Sequence, residues 1–600
     1  MNRRERIALL SSQRGALAVT TPLLIVLIIV LTVLLLDGAR LYATKREMQS
    51  IANAAAMAAA DAAQACGGEI VNQSMIEAAA VAAANEQGMS RLGGSLSVVQ
   101  PGTLVAGDNA VMGFRPIQNS IDESNAVRVV YALTSPISLL VPDQVGSVDM
   151  ETTAVARREV IATVSASGST AIIGGDDETA GLLGALLGSI LTGGDPFALD
   201  ATDIRSLANT TFVLGEFLED LGVSGLLNAV DQTVPADMLL RGILAGLDDG
   251  AGMAGGAIDE LLAASGLINT NVRLGDVINL VGNIPYPEET RVPVYDTIVA
   301  LALNTLAGQV FELPIDVDLN VAGLLGAELR LTVGQAPSVV IGPARFQPDG
   351  EAMVTFEAAD VVLNLVVSAD VLGLATLTLP LMVETGGGTG YLQYADCAAG
   401  LSNDVLLGFV LEPSVARIST STLSPAGAVV PSAINATLLD IPGLNSLLPV
   451  FEVNGTIAGL NVGTPQTMTR SVVYNMSDKE PGVIATGSDL TLSTVGSALD
   501  LQVSVKRKEC GPLGLNCLLG AILGPILDLV GGLANVTVSL VQNTVLAILS
   551  DVLTNVLGPL LQALGVNLGG MIVEVTDATQ TGVALIDCSI MPCDVIIEEE

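Results

Sequence analysis

The sequence predicts an α+β protein carried on one N-terminal transmembrane helix. Three observations predict it. Ala16 to Leu36 reads ALAVTTPLLIVLIIVLTVLLL, 21 residues with no charge and three threonines as the only polar groups. At 1.5 Å per residue that matches a hydrocarbon core of roughly 30 Å. Downstream, apolar residues alternate in several stretches and recur at helical spacing in others, the patterns of half-buried strands and amphipathic helices. The charge is also split. Residues 1–46 hold seven basic and two acidic residues, whereas 47–600 hold seventeen and sixty, within a net charge of −38.

Residues 1–15 form a basic tail, with Arg3, Arg4, Arg6 and Arg14 against Glu5. Arg40, Lys45 and Arg46 follow the span. The excess of positive charge before the helix places the N-terminus in the cytoplasm and the bulk of the chain outside. A secretory signal peptide is the competing reading, but its apolar region spans about 7–15 residues and ends in small residues. This run ends Leu34-Leu35-Leu36-Asp37, so the expectation is an uncleaved anchor at 16–36, delimited by Ala16 and Leu36 and carrying Thr20 and Pro22. Residues 37–90 are Ala-rich with no proline, and Ala is the best helix former, so a helical stalk is expected to leave the bilayer. Asp37 and Arg40, three apart, either pair on one helix face or simply end the span.

Residues 91–170 contain alternating runs, Ala126–Leu133 and Val155–Ser165, and read as a small β-rich domain. Residues 171–310 switch to helical spacing at Ala180–Leu191, Phe212–Leu221, Ala236–Leu247, Ile258–Leu267 and Tyr295–Leu306, a helical subdomain with Pro235 just ahead of its helix. Residues 311–508 return to strands, at Ile315–Leu319, Val361–Val367, Ala375–Val383 and Leu499–Val505, with a turn at Gly386-Gly387-Gly388. Residues 509–570 are Gly/Leu-rich. Between Cys510 and Val573 only Asp528 and Asp551 are charged, but Asn543, Ser550, Asp551, Thr554 and Gln562 share a face and Gly-Pro pairs interrupt the run. Amphipathic helices are expected there, and further membrane contact is the alternative. Residues 571–600 read as a terminal strand and an acidic tail. Mean hydropathy is +0.61, yet only 3% of residues are aromatic. The Gly/Leu texture recurs near 180–190 and 518–533 without a fixed period, so no repeat architecture is predicted.

Gln13-Arg14-Gly15-Ala16 opens the span. Asp37-x-x-Arg40-Leu41-Tyr42 follows it, then Arg46-x-x-Gln49-x-x-Asn53-Ala54-Ala55-Ala56-x-Ala58-Ala59-Ala60. This N-terminus resembles TadG-like proteins of the bacterial Tad (Flp) pilus-assembly family. Asn125–Val129 with Ala154-Val155-Ala156 resembles the strand-rich segment after the family's stalk. Leu207-Ala208-Asn209 resembles part of its long extracytoplasmic region. The resemblance implies a bacterial inner-membrane, single-pass protein with β-rich periplasmic domains, working with other pilus-assembly or secretion proteins. Two departures matter. Pilin-like relatives carry Glu five residues after the cleavage-site Gly, where this chain has Thr20, which implies a retained anchor. Some members carry a metal motif, Asp-x-Ser-x-Ser, whose nearest string here is Asp489-Leu490-Thr491-Leu492-Ser493, read as an alternating strand.

The six cysteines allow fifteen pairings. The close spacings suggest Cys510 with Cys517 and Cys588 with Cys593, leaving Cys66 for Cys397, as an oxidising periplasm permits. Six buried thiols are the alternative. The chain has no histidine, which removes Ser-His-Asp catalysis and His-containing zinc sites. No Ser-x-x-Lys, Gly-x-Ser-x-Gly or Walker A string occurs. Gly250-x-Gly252-x-x-Gly255 matches a dinucleotide fingerprint but follows a helical pattern rather than a strand. Acid pairs such as Asp176/Asp177, Asp248/Asp249 and Asp316/Asp318 read as surface or turn acids, because no EF-hand loop is present. The acidic chain argues against nucleic-acid binding. The expectation is a non-enzymatic protein without cofactors that contacts the lipid bilayer through its N-terminal helix. A Ca²⁺-dependent surface adhesin and a membrane-tethered carboxylate hydrolase are the alternatives.

Overall fold

The first 60-residue element is a single helix, α1 (Arg3–Ala62), in the computed structural model. The structure describes residues 3–63, 72–106, 112–117, 124, 126–138, 146–166, 187–188, 190–191, 199–223, 230–248, 251–264, 270–281, 287–306, 310–315, 324–344, 346, 351–371, 375–397, 404–424, 428–438, 450–457, 459–462, 466–486, 498–506, 543, 546–547, 550 and 571–586. The fold is α+β, an N-terminal apolar helix followed by a β-rich region with a few helices. The chain divides into two units. Unit 1 comprises Met1–Glu159, Asp396–Asn403 and Gly582–Glu600, and unit 2 comprises Val160–Ala395 and Asp404–Thr581.

In unit 1, α2 (Gln73–Glu86) and α3 (Met89–Leu92) follow α1, and then come β1 (Ser95–Ala106), β2 (Met112–Pro116), β3 (Ala126–Pro136) and β4 (Ser147–Ser165). They pair antiparallel in the order β2-β1-β3-β4. Asn72 starts α2 by accepting the Met75 N–H on its side chain at 3.0 Å, satisfying a donor the helix leaves free. The Ala-rich segment after the span is helical because alanine favours helix, but it also buries a stripe. Met48, Ile51, Ala52, Ala55, Ala56, Ala59, Ala60 and Ala63 recur at three- and four-residue steps and are buried. They meet Ile76, Ala80 and Ala84 of α2 and the alternate residues Val127, Val129, Tyr131 and Leu133 of β3. Small side chains let the backbones approach closely, and Met48 and Ile51 contribute about 2 kcal/mol each by burial.

Unit 2 begins at Val160 with the last residues of β4, and α4 (Ala201–Ala208) follows. Its cap, Asp200, accepts the Thr202 and Asp203 N–H groups at 2.7 and 2.8 Å, while Asp203 accepts the Asp200 N–H at 3.1 Å, a reciprocal capping box. Leu207-Ala208 closes this helix and Asn209 caps it. Four copies of a three-residue strand running straight into a helix follow. They are β5 (Thr211–Val213) with α5 (Leu214–Asp220), β6 (Thr233–Pro235) with α6 (Ala236–Ala245), β7 (Asn271–Arg273) with α8 (Leu274–Val277), and β9 (Arg291–Pro293) with α9 (Val294–Leu306). The helix α7 (Gly252–Ala263) lies between the second and third copies, and β8 (Ile278–Leu280) follows α8. The middle strand residues Phe212, Val234, Val272 and Val292 are buried, as are the first helical residues Leu214, Ala236, Leu274 and Val294.

The copies pair in one register. Phe212 faces Val292 and Val234 faces Val272. The first helical N–H donates across each pair. Leu214 donates to Thr290 and Val294 to Thr210, and Ala236 donates to Thr270 and Leu274 to Gln232, all within 2.8–3.1 Å. Gly215 and Gly275 stand at equivalent positions and donate to the Glu288 and Val230 carbonyls at 3.1 and 3.0 Å. A Cβ there would lie 2.8 Å and 2.7 Å from those same oxygens, so only glycine admits the close approach. These copies were not anticipated. Their strands are too short for alternation to register, and their separations are unequal. Gly252 opens α7 after the α6 segment, so the dinucleotide string lacks its strand context.

A nine-stranded sheet contains β10 (Val310–Ile315), β11 (Leu324–Gln335), β14 (Asp360–Val371), β15 (Ala375–Glu384), β21 (Ile434–Leu438), β22 (Val450–Ile457) and β26 (Leu499–Lys506) in that order. β18 (Ala416–Ser419) joins it beside β15, and β23 (Leu460–Val462) pairs with β18. A four-stranded sheet orders β13 (Thr355–Glu357), β16 (Thr389–Cys397), β17 (Asp404–Glu412) and β24 (Met468–Asn475). β12 (Val339–Pro343) pairs parallel with β8 and antiparallel with Ile161–Ser165. β19 (Ser421–Leu423) pairs with β20 (Val429–Pro431), and β25 (Gly482–Ala485) with β27 (Ile572–Ile586). Alternate residues of β11, β14 and β15 (Leu331, Leu363, Leu365, Leu379 and Leu381 among them) share one core with helices α4 to α9.

One buried polar knot ties distant parts of unit 2 together. The Asp577 carboxylate of β27 accepts the Arg291 backbone N–H at 2.8 Å and the Tyr474 hydroxyl at 3.3 Å. Burial pushes the Asp577 carboxyl above its ordinary range, against the pull of the Arg291 and Tyr474 donors. Cys66, Cys510, Cys517, Cys588 and Cys593 lie outside the described residues, and Cys397 ends β16 with its side chain undescribed. The 509–570 segment, apart from four isolated residues, and Asp316–Leu319 also lie outside them, as do Asp176/Asp177, Asp249 and Asp489–Ser493.

Candidate membrane anchor and its protein seat

α1 divides by burial into two consecutive parts. From Leu23 to Leu36, twelve large apolar side chains are 48–74% exposed. An uncharged helical face of this kind, apolar all round, suits hydrocarbon rather than water. Helix is also what hydrocarbon requires, because it satisfies its backbone internally. The Thr32 hydroxyl donates to the Ile28 carbonyl at 2.7 Å, which satisfies this polar group within the helix itself. Pro22 stands inside the helix, well past its first residue Arg3. Arg14, Gly15, Ala16 and Thr20 belong to the same helix, their side chains undescribed.

Asp37 is where burial begins, directly after Leu36. The Arg40 guanidinium donates to the carbonyl of Pro136 at the end of β3. Further along, the Gln49 amide donates to the Thr153 carbonyl at 3.1 Å and to Asn53 Oδ1 at 2.9 Å. Thr153 sits opposite Val130, so α1 and β3 run in opposite directions and the end of β3 meets the start of the packed part of α1. Exposed Glu47 and Arg91 form an ion pair beside this seat, worth little in water. Tyr131 packs against α1 and its hydroxyl accepts the Gly94 N–H at 3.1 Å. Burial raises the Tyr131 phenol above its ordinary value. The Gly94 N–H opposes the rise, and nearby Glu47 adds to it.

Arg14, Gly15, Asp37 and Arg40 thus share one continuous helix with the anchor residues. The roles of Gln49 and Asn53 were not anticipated, although an amide pair four residues apart within an alanine run is the visible signal. Among the described residues, no three Asp, Glu or Cys side chains converge as a metal-holding group.

These features describe an α+β protein with one candidate membrane span, compatible with a membrane-anchored protein. Residues 15–63 match the family model Tad, described as "Putative Flp pilus-assembly TadE/G-like". The match runs from Gly15 at the head of the span to Ala63, the last residue of the buried stripe. It is consistent with a TadG-like protein and supports a role related to pilus assembly. No curated protein matches the chain. No solved structure matches it either.

Proposed function

We propose that this chain is a periplasm-facing accessory protein of Tad (Flp) pilus assembly or secretion, which acts by anchoring and protein–protein contact. The observation that carries the reading is the coincidence of the family match with one mechanical element: the exposed apolar half of α1 together with the stripe that seats its other half on α2 and β3. That element couples a bilayer to a folded platform without any catalytic group. The reading is non-enzymatic, since a histidine-free chain lacks the usual acid–base and nucleophile-activating partners. The basic N-terminal tail supports a cytoplasmic N-terminus in a bacterial inner membrane, with the acidic bulk in the periplasm.

Affinity purification of the tagged full chain from membranes tests the assembly role. Pilus-assembly or secretion components are expected to co-purify, and their absence under conditions that retain the bilayer-embedded chain counts against it. Protease added to spheroplasts tests orientation. Cleavage within the β-rich region with an intact N-terminal tag is expected, and the reverse pattern overturns the assignment.

A further inference from the structure

We propose that the outward face of α1 just past the span, formed by Tyr42, Lys45 and Arg46, binds the headgroups of anionic phospholipid in the leaflet that α1 leaves at Leu36. The inference rests on α1 being a bilayer anchor. The three residues stand at i, i+3 and i+4 of one helix, so they share a face. Asp37, Arg40 and Met48 turn the other way, where Asp37 and Met48 are buried and Arg40 reaches Pro136. Tyr42 is 71% exposed, and Lys45 and Arg46 are exposed beside it. Among the described residues neither cation has an acidic partner. Their neighbour Glu47 pairs with Arg91 instead.

The level of this face along α1 matches the surface of a bilayer. The headgroup layer adds about 5–8 Å to each side of the hydrocarbon. Tyr42 stands about 9 Å past Leu36 along the helix, and Lys45 and Arg46 about 14 and 15 Å past it. Helical side chains lean towards the N-terminus, here back towards the bilayer. The phenol ring therefore sits at headgroup level, and the two long stems carry their charges down towards the phosphates. The charge of the chain gives the contact its purpose. Residues 47–600 hold sixty acids against seventeen bases, so an anionic surface repels the body of the protein. Two cations at the exit point reverse that sign locally, within a screening length of ~8 Å from the phosphates.

The chain contains no tryptophan, so one introduced indole reports its own surroundings. Leu35 is 74% exposed and lies seven residues before Tyr42, on the same face and inside the span. The full chain carrying Leu35→Trp is reconstituted in vesicles of phosphatidylcholine and phosphatidylglycerol in equal amounts, with only one of the two brominated on its acyl chains. Brominated phosphatidylglycerol is expected to quench the indole at least about twofold more than brominated phosphatidylcholine. Adding Lys45→Gln and Arg46→Gln should bring the two to parity, and so should about 1 M salt, where screening shortens to ~3 Å. Equal quenching with both cations present overturns the lipid site and leaves the anchor standing. A preference that survives the double substitution also overturns it, because other charges then recruit the lipid. A preference erased by inorganic phosphate at matched ionic strength overturns the assignment to lipid in favour of a free anion. No quenching by either lipid overturns the anchor itself, and this site with it. Should the double variant fail to fold, Lys45→Gln and Arg46→Gln are read singly, and each is expected to lower the preference part of the way.

Discussion

Acidic substitution at the middle of the span tests what holds the chain to a membrane. Twelve large apolar side chains from Leu23 to Leu36 stand exposed on α1. At about 0.3–0.6 kcal/mol each they favour insertion by about 4–7 kcal/mol. Ile25 and Ile28 lie near the centre of Ala16–Leu36, and both are about half exposed to the surroundings. Replacing one by Asp forfeits its own contribution and adds about 2.5–3.5 kcal/mol, roughly 3–4 kcal/mol in all. Ile28→Asp alone therefore leaves insertion weakened but favourable. Ile25→Asp with Ile28→Asp costs about 6–8 kcal/mol, which matches or exceeds the driving force of the twelve. Flotation with vesicles, followed by carbonate extraction, reads the outcome. The single variant should float with partial extraction, and the double variant should remain with the soluble or aggregated fraction. A double variant that floats like the parent chain refutes the reasoning, because something other than the apolar face of α1 would then be holding the membrane.

Three further outcomes follow from packing and titration. Ala59→Leu, inside the buried stripe of α1, should cost about 1–3 kcal/mol and raise hydrogen exchange across β3, whereas Met57→Leu on the exposed side should stay within about 0.5 kcal/mol. Gly215→Ala and Gly275→Ala should each loosen their strand pair by about 1–3 kcal/mol, read as faster amide exchange in 211–220 or 271–280. Gly256→Ala on α7, with open space around it, should instead firm its helix by about 0.5–1 kcal/mol. Asp577 binds its proton more tightly folded than unfolded. Its favourable contribution is thus complete below the unfolded value near ~4 and is lost as pH rises through the raised folded value. Asp577→Asn should gain stability relative to the parent chain as pH rises through that window in denaturant titrations, and parallel profiles for the two would exclude the mechanism.

Long periodic features were legible in the sequence. The span, the strands at Ala126–Leu133, Val361–Val367 and Ala375–Val383, and the helices near 236–247 and 295–306 all carry enough residues for their period to emerge. The four strand-helix copies do not, since three residues such as Thr233-Val234-Pro235 carry no period, and their pairing depends on partners dozens of residues away. The apolar helix was equally legible, because an uninterrupted uncharged run of this length has an unmistakable composition. The seat was not. Alanine reads first as a helix former, and only the partners of Ala55, Ala56 and Ala59 reveal it as a spacer permitting close approach. Arg40 carries a contact the sequence does not show: its guanidinium reaches the Pro136 carbonyl, a bond between residues nearly a hundred positions apart.

Val583 packs against the same cluster as the α1 stripe, and unit 1 takes in Gly582–Glu600 as well as Met1–Glu159. The sequence of unit 2 lies almost wholly between those two pieces. A chain made from its N-terminus presents α1 early, yet part of the packing around its buried stripe must wait for a strand synthesised hundreds of residues later. Closure of unit 1 is therefore a late, long-range event, slow by the entropy of the intervening loop. The cluster around the buried stripe of α1 therefore reaches its finished form only after Val583 has been made, which ties the completion of the first-made helix to the last-made strand.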